Sequence, residues 1–303
     1  MLHANYIAAI EKRLAWLRWI RGHGHAEFYR NGFGKIVDTY EDVLATGDTF
    51  FMSEPFCTLV DHARREMPGD IAFDARWLQS KRGWLYLQVP FEVPESQTVV
   101  DTYPEEYRAW LRQNPVRMMA VGWREIPEGA LLHNLGGAPP EPARPGSVQF
   151  CYFTDLAAPD QPWPWAYFVA RDGDRMDERA AAFEQKARES GDPGAMYVPY
   201  QDRMVHPLHE IRWLYAALHL MAQRLATTVQ HTTDRHTRRR AERQGQAAPP
   251  FIRVVTLRRL EQDRRRDPKG SDVDWQWQWT VRGHWRQQFY PSEGVHKPVF
   301  VEA

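Results

Sequence analysis

Between His206 and Gln244 the residues Ile211, Leu214, Tyr215, Leu218, Met221, Ala222, Leu225 and Val229 recur at helical spacing. A period of 3.6 residues marks an amphipathic helix, so the stretch predicts one long helix over 206–244. After Val229 the apolar stripe ends and HTTDRHTRRRAERQGQ follows. A helix without an apolar face has nothing to pack against, so these last turns are expected to project into solvent. Pro249 and Pro250 stop the helix. The apolar stripe needs a partner surface, and the rest of the chain supplies one.

That surface reads as strands. Residues 84–89 (WLYLQV), 117–123, 148–153, 165–170 and 251–257 (FIRVVTL) are short runs rich in β-branched and aromatic residues. Gly83 and Pro90 fence the first, and the Pro/Gly-rich loop 136–146 separates the second from the third. Helices are expected at 4–21, 36–46, 53–66, 104–113 and 177–190. Trp275, Trp277 and Trp279 alternate with Gln276, Gln278 and Thr280, as on one face of a strand over 275–285. That face is either buried against a core or an exposed platform on which bases or a peptide could stack. A short strand at 299–301 would close the chain. The fold class is α+β: a helical N-terminus, a mainly antiparallel sheet, and a long central helix followed by C-terminal strands. Residues 1–205 form an α+β body that could bind a partner. Residues 206–303 hold the long helix, the basic arm and the aromatic strands.

Charge narrows the partners. Lys and Arg total 39, as do Asp and Glu, yet residues 231–270 hold 12 basic against 5 acidic residues. The remainder is acidic, so the molecule is polarised, a property that speaks of partners rather than fold. No run reaches the length of a membrane helix. The N-terminus carries charges within its apolar stretch, unlike a signal peptide. Two isolated cysteines, Cys57 and Cys151, form no disulfide framework, and a reducing cytoplasm is the expected compartment.

The basic arm offers Arg235, Arg238, Arg239, Arg240 and Arg243, then Arg258 and Arg259. The guanidinium fork suits phosphate oxygens, so the arm is either a solvated charge run or a nucleic-acid contact. Aromatic residues nearby in sequence favour RNA or a single strand. No helix-turn-helix, zinc-finger or RNP signature is present. The segment Arg282-Gly283-His284-Trp285-Arg286 adds a second basic group, with Lys297 beyond it. The arm and this segment are expected side by side as one cationic grip. His284 and His296 are the residues a ribonuclease would use, as the alternative to a protein without a catalytic site. His23 and His25, and His206 and His209, are short pairs without the further ligands of a metal motif. No metal or cofactor is expected, and no Walker loop, GxGxxG or GxSxG occurs.

The end of the chain, TVRGHWRQQFYPSEGVHKPVFVEA, resembles the C-terminal signature of a family from phages, plasmids and other mobile elements. Arg282, Gly283, His284, Trp285, Tyr290, Gly294, Lys297, Pro298 and Val299 to Val301 carry that likeness. The family includes a type V-A anti-CRISPR protein that represses its effector nuclease at translation. It recognises the start of the nascent nuclease and causes loss of the matching messenger RNA. The resemblance implies a cytoplasmic binding protein of the bacterial host, without a conventional active site. Its implied partners are RNA or a ribosome-associated nascent chain, and a host protein.

Overall fold

The computed structural model describes residues 2–24, 34–93, 116–132, 141–156, 164–178, 198–200, 203–205, 208–258 and 283–301. Helix α1 spans Leu2–Trp19, α2 Gly34–Thr46 and α3 Glu54–Arg65. Helix α4 covers Leu208–Ala222 and α5 Arg235–Arg243. The strands are β1 (Asp48–Met52), β2 (Arg82–Val93), β3 (Val116–Glu125), β4 (Leu131–Leu132), β5 (Glu141–Pro142), β6 (Val148–Phe153) and β7 (Pro164–Ala170). They continue as β8 (Val198–Tyr200), β9 (Arg203–Val205), β10 (Ala226–Thr232), β11 (Phe251–Leu257), β12 (His284–Tyr290) and β13 (Val295–Val301). The α+β class expected from the sequence is the class observed.

One seven-stranded sheet runs β10-β11-β1-β2-β3-β6-β7. β1 is parallel to both β11 and β2, and the other neighbours are antiparallel. Strands from both sides of residue 205 therefore share this sheet. β4 pairs with β5, β8 with β9, and β12 with β13 in separate two-stranded ladders.

Alternation along the strands loads both faces with apolar side chains. Phe50, Met52, Leu85, Leu87, Val121, Trp123, Phe150 and Tyr152 face α3 and α4. Phe51, Trp84, Tyr86, Ala120, Cys151, Phe153, Ile252 and Val254 face α1, α2 and Ala241 of α5. A sheet covered on both sides reads as near-continuous apolar runs rather than clean alternation, which is why WLYLQV and VQFCYF look as they do.

The long helix 206–244 is not observed. α4 ends at Ala222, and 226–232 is the edge strand β10, paired with β11 from Ala226–Leu257 to Thr232–Phe251. Leu225 and Val229 fit a helical stripe by spacing. Thr227, Thr228 and Val229 are β-branched, however, and favour a strand when a neighbour such as FIRVVTL is available. α5 sits inside the β10–β11 connection. The backbone N–H of Thr233 donates to Pro250 at 3.0 Å, and its hydroxyl to the Pro249 carbonyl at 2.5 Å, closing the base of that excursion.

Two further elements differ. β1 had no counterpart in the sequence reading. β12 begins at His284, and residues 275–282 of the strand expected over 275–285 lie outside the described residues; β13 begins at Val295, earlier than the expected 299. Trp275, Trp277 and Trp279, the helix at 104–113, and all of 177–190 beyond Asp177 and Glu178 lie outside the described residues.

Candidate nucleic-acid interface

α5 is built to be held from one side. Asp234 caps it, accepting from the Thr237 backbone N–H at 2.9 Å and from the Thr237 hydroxyl at 2.7 Å. Those bonds hold the Asp234 carboxyl below its ordinary pKa. Thr237 and Ala241, one turn apart, are its buried residues. Around them the body grips the element: Arg240 pairs with Glu11, and Arg18 donates to Gln244. The buried amide of Gln246 donates to the Leu14 carbonyl at 2.9 Å. Tyr6 of α1 stacks on His231 of β10 at 5.2 Å.

The opposite side of α5 is cationic. Arg235, Arg238, Arg239 and Arg243 are exposed. Among the described residues no carboxylate lies within salt-bridge distance of these four. Among the described residues Arg243 Nε reaches only the Arg239 carbonyl, at 3.4 Å. Arg240 is the exception, drawn to Glu11. Arg258 is also exposed, at the end of β11, with its backbone N–H donating to Leu225 at 2.8 Å. Arg259 and Arg282 lie outside the described residues.

The RGHW segment lies elsewhere. In the β12–β13 hairpin, Trp285 is opposite Phe300, Gln287 opposite Pro298 and Phe289 opposite His296. Directly opposed side chains share a face, so these six form one face. It docks at one end. Trp285 Nε1 donates to the Ala63 carbonyl at 3.0 Å, Phe300 is buried, and His219 Nε2 donates to the Pro298 carbonyl at 2.8 Å. A carbonyl only accepts, so that bond places the histidine proton on Nε2. Burial holds His219 below its ordinary pKa, against the opposing pull of the Pro298 bond and of Asp74. Trp77 meets the imidazole edge-on at 4.7 Å, and Trp285 lies tilted to it at 5.2 Å. At the other end the hairpin overhangs: Phe289 is 49% exposed and Val295 45%.

The second hairpin face presents His284, Arg286, Gln288, Tyr290 and Lys297. His284 and Arg286 are exposed. Arg286 donates to Gln288 at 2.9 Å, and Lys297 pairs with Glu293 at 2.6 Å while lying over the Tyr290 ring at 5.3 Å. Gly283 precedes them. A Cβ there would stand 2.8 Å from Phe300 Cζ, so the backbone passes too close to that ring for a side chain. Gly294 turns the hairpin at φ +69°.

These placements correct the expected grip. Ala241 of α5 joins the core on the α1–α2 side of the sheet, whereas Phe300 and Trp285 join the core on the α3–α4 side. The two basic groups are on opposite faces of the seven-stranded sheet. Trp285 spends its N–H and its ring on the body. His284 and His296 point to opposite faces of their hairpin, five positions apart in its register, or about 17 Å of strand. The sequence reading missed His219 and Asp74, whose nearness to the hairpin only tertiary packing reveals.

Among the described residues no group of three His, Cys, Asp or Glu side chains is arranged to hold a metal ion. No helix there is long and apolar enough to cross a membrane. Both cysteines are buried and unpaired. Burial pushes the Cys57 thiol up to about 11 and raises Cys151 further, so neither supplies a thiolate nucleophile at neutral pH.

No family model matches the sequence, and no curated protein matches it. Among solved structures the chain is similar to the crystal structure of the anti-CRISPR AcrVA2. The TM-score is 0.43 at 12% identity, over 99% of this chain and 94% of that one. A likeness of that size carries no functional argument, which rests instead on the residues above.

Proposed function

We propose that this chain is a non-enzymatic, anti-CRISPR-like binding protein of phage or mobile-element origin. It recognises a host protein or nascent peptide and contacts RNA or the ribosome, so that expression of its target falls. The observation that carries the RNA half is the exposed arginine face of α5, ordered by a cap and a buried Thr237–Ala241 edge and, among the described residues, without carboxylate partners at four positions. Phosphate neutralisation needs such a surface. The RGHW…KP resemblance supplies the anti-CRISPR half.

The two basic surfaces on opposite faces of the sheet suit a bridging protein better than a clamp. α5, with Arg258 nearby in sequence, is the RNA-facing side. His284, Arg286 and Lys297 on the hairpin form a second contact surface, with Trp285 as its anchor. The ribonuclease alternative gains nothing from the geometry, because His284 and His296 do not converge.

The test is affinity capture of the tagged chain from host cells producing the target, with and without nuclease treatment, beside measurement of target messenger and protein. Nuclease-sensitive recovery with falling target expression is expected. Nuclease-insensitive recovery, with no RNA bound by the purified chain, would instead mean a purely protein-binding inhibitor. RNA cleavage lost in His284→Ala would restore the enzymatic reading.

A further inference from the structure

We infer that α5 binds successive phosphates of one RNA strand through a single column, Arg235, Arg239 and Arg243; this rests on the RNA-contacting reading above. The three arginines stand four residues apart on a helix whose buried residues are Thr237 and Ala241. At 100° per residue the column lies on the side away from those two. Four residues rise about 6 Å along the axis, close to the separation of neighbouring phosphates along one ribonucleotide strand. Each guanidinium can therefore meet its own phosphate without the strand stretching or bunching.

Composition decides between a nucleic acid and an acidic protein as the occupant. The exposed side of α5 and its flank reads Arg235, His236, Arg238, Arg239, Arg240, Glu242, Arg243 and Gln244, without an apolar side chain. Stable protein interfaces need a desolvated core with apolar or aromatic anchors. Phosphate binding needs only charge, fork geometry and counterion release. On the α5 side the adjoining edge strand presents Thr227, Val229 and His231, all half-buried and with His231 stacked on Tyr6, so it likewise offers no exposed apolar anchor. Arg238 lies beside the column and adds general attraction. Arg240 is held by Glu11 and takes no part.

Fluorescence anisotropy of the full chain with a short labelled oligouridylate, across a salt series, tests this. Three single-strand phosphate contacts contribute a slope of about −2 to log K against log salt, a loss of about 15-fold for a fourfold rise in salt. The triple variant R235Q/R239Q/R243Q is expected to flatten the slope by about 2, and each single variant by about 0.7. The triple Arg→Lys variant is expected to keep most of the slope, which separates charge from damage to the helix. Circular dichroism checks that α5 and the body remain folded.

Tight RNA binding with an unchanged slope in the triple glutamine variant would sink the column while leaving the RNA reading intact. No RNA binding by the parent chain at low salt would sink both. Tighter binding of a polyglutamate peptide than of an oligouridylate of equal charge would assign the column to an acidic protein.

Discussion

The indole N–H of Trp285 donates to the carbonyl oxygen of Ala63 at 3.0 Å. Ala63 lies in the last turn of α3, where the final four carbonyls have no partner within the helix. One bond therefore caps a helix and fastens the hairpin to the body. The Phe300 ring, 5.4 Å from the Trp285 ring, completes the joint.

Replacing Trp285 by Ala removes the ring and the bond together, with an expected loss of about 3 kcal/mol of stability. Trp285→Phe keeps an aromatic ring and removes the donor, for about 1 to 2 kcal/mol. Denaturant midpoints of the two variants measure the difference. Equal losses would show that the ring's packing contributes nothing beyond the hydrogen bond, and no loss in Trp285→Phe would show that the bond contributes nothing beyond packing.

The His219 contact makes hairpin docking sensitive to acid. Burial favours the neutral imidazole, so its pKa in the folded chain is below the ordinary value of 6.5. The unfolded chain then binds more protons between those two values, and stability rises with pH there. The contribution is full above pH 6.5 and drains away as pH falls through the window beneath it. Unfolding of the parent chain should steepen with acidification. His219→Gln, which keeps a side-chain donor for the Pro298 carbonyl, should lose that steepness; an unaltered pH profile would remove His219 from the account.

Gly283→Ala should weaken the same joint from the other side. Its methyl group would press on Phe300, which is buried beside Trp285 and His62. Overpacking of this kind costs about 1 to 3 kcal/mol. Combining it with Phe300→Leu should recover part of the loss, a coupling that a double-mutant cycle reads directly.

Arg13 is 3% exposed and carries its charge into the α1–α2 core. Its Nε donates to the Leu44 carbonyl at 2.7 Å, and a second nitrogen approaches the Val43 carbonyl at 3.5 Å; a third bond goes to the Thr49 hydroxyl. Those carbonyls belong to the last turn of α2, where a cation is favoured. Burial lowers the guanidinium to about 10, with Asp48 opposing, so it stays charged at neutral pH. Arg13→Leu should cost about 3 kcal/mol by stranding the Leu44 carbonyl and the Thr49 hydroxyl, while the Val43 carbonyl keeps the Gly47 N–H. Hydrogen exchange at α2 should speed up more than at α4; uniform acceleration would mean that Arg13 is not a local cap.

Much of the sheet could be read from the chain. WLYLQV, VQFCYF and FIRVVTL are fenced by turn residues and fell where strands are observed. β1 escaped because DTFFM is five residues long and buried on both faces, so it shows no alternation. β10 escaped because Leu225 and Val229 continue the α4 stripe by accident of spacing. The arginines of the site were plain in the sequence. Their separation from RGHW was not, because it is decided by the pairing of β1 with β11, some two hundred residues apart.

That pairing also constrains how the protein is made. β1 is flanked by β2 on one side and β11 on the other. A growing chain presents Phe50, Phe51 and Met52 early and their β11 neighbours, Arg253 to Val255, only much later. Until then one edge of the central strand stands open, and the helices can cover its faces but not that edge. Completion of the sheet waits on late-synthesised sequence, and distant pairings of this sort are slow to form. Stalled or shortened products should be aggregation-prone and easily digested.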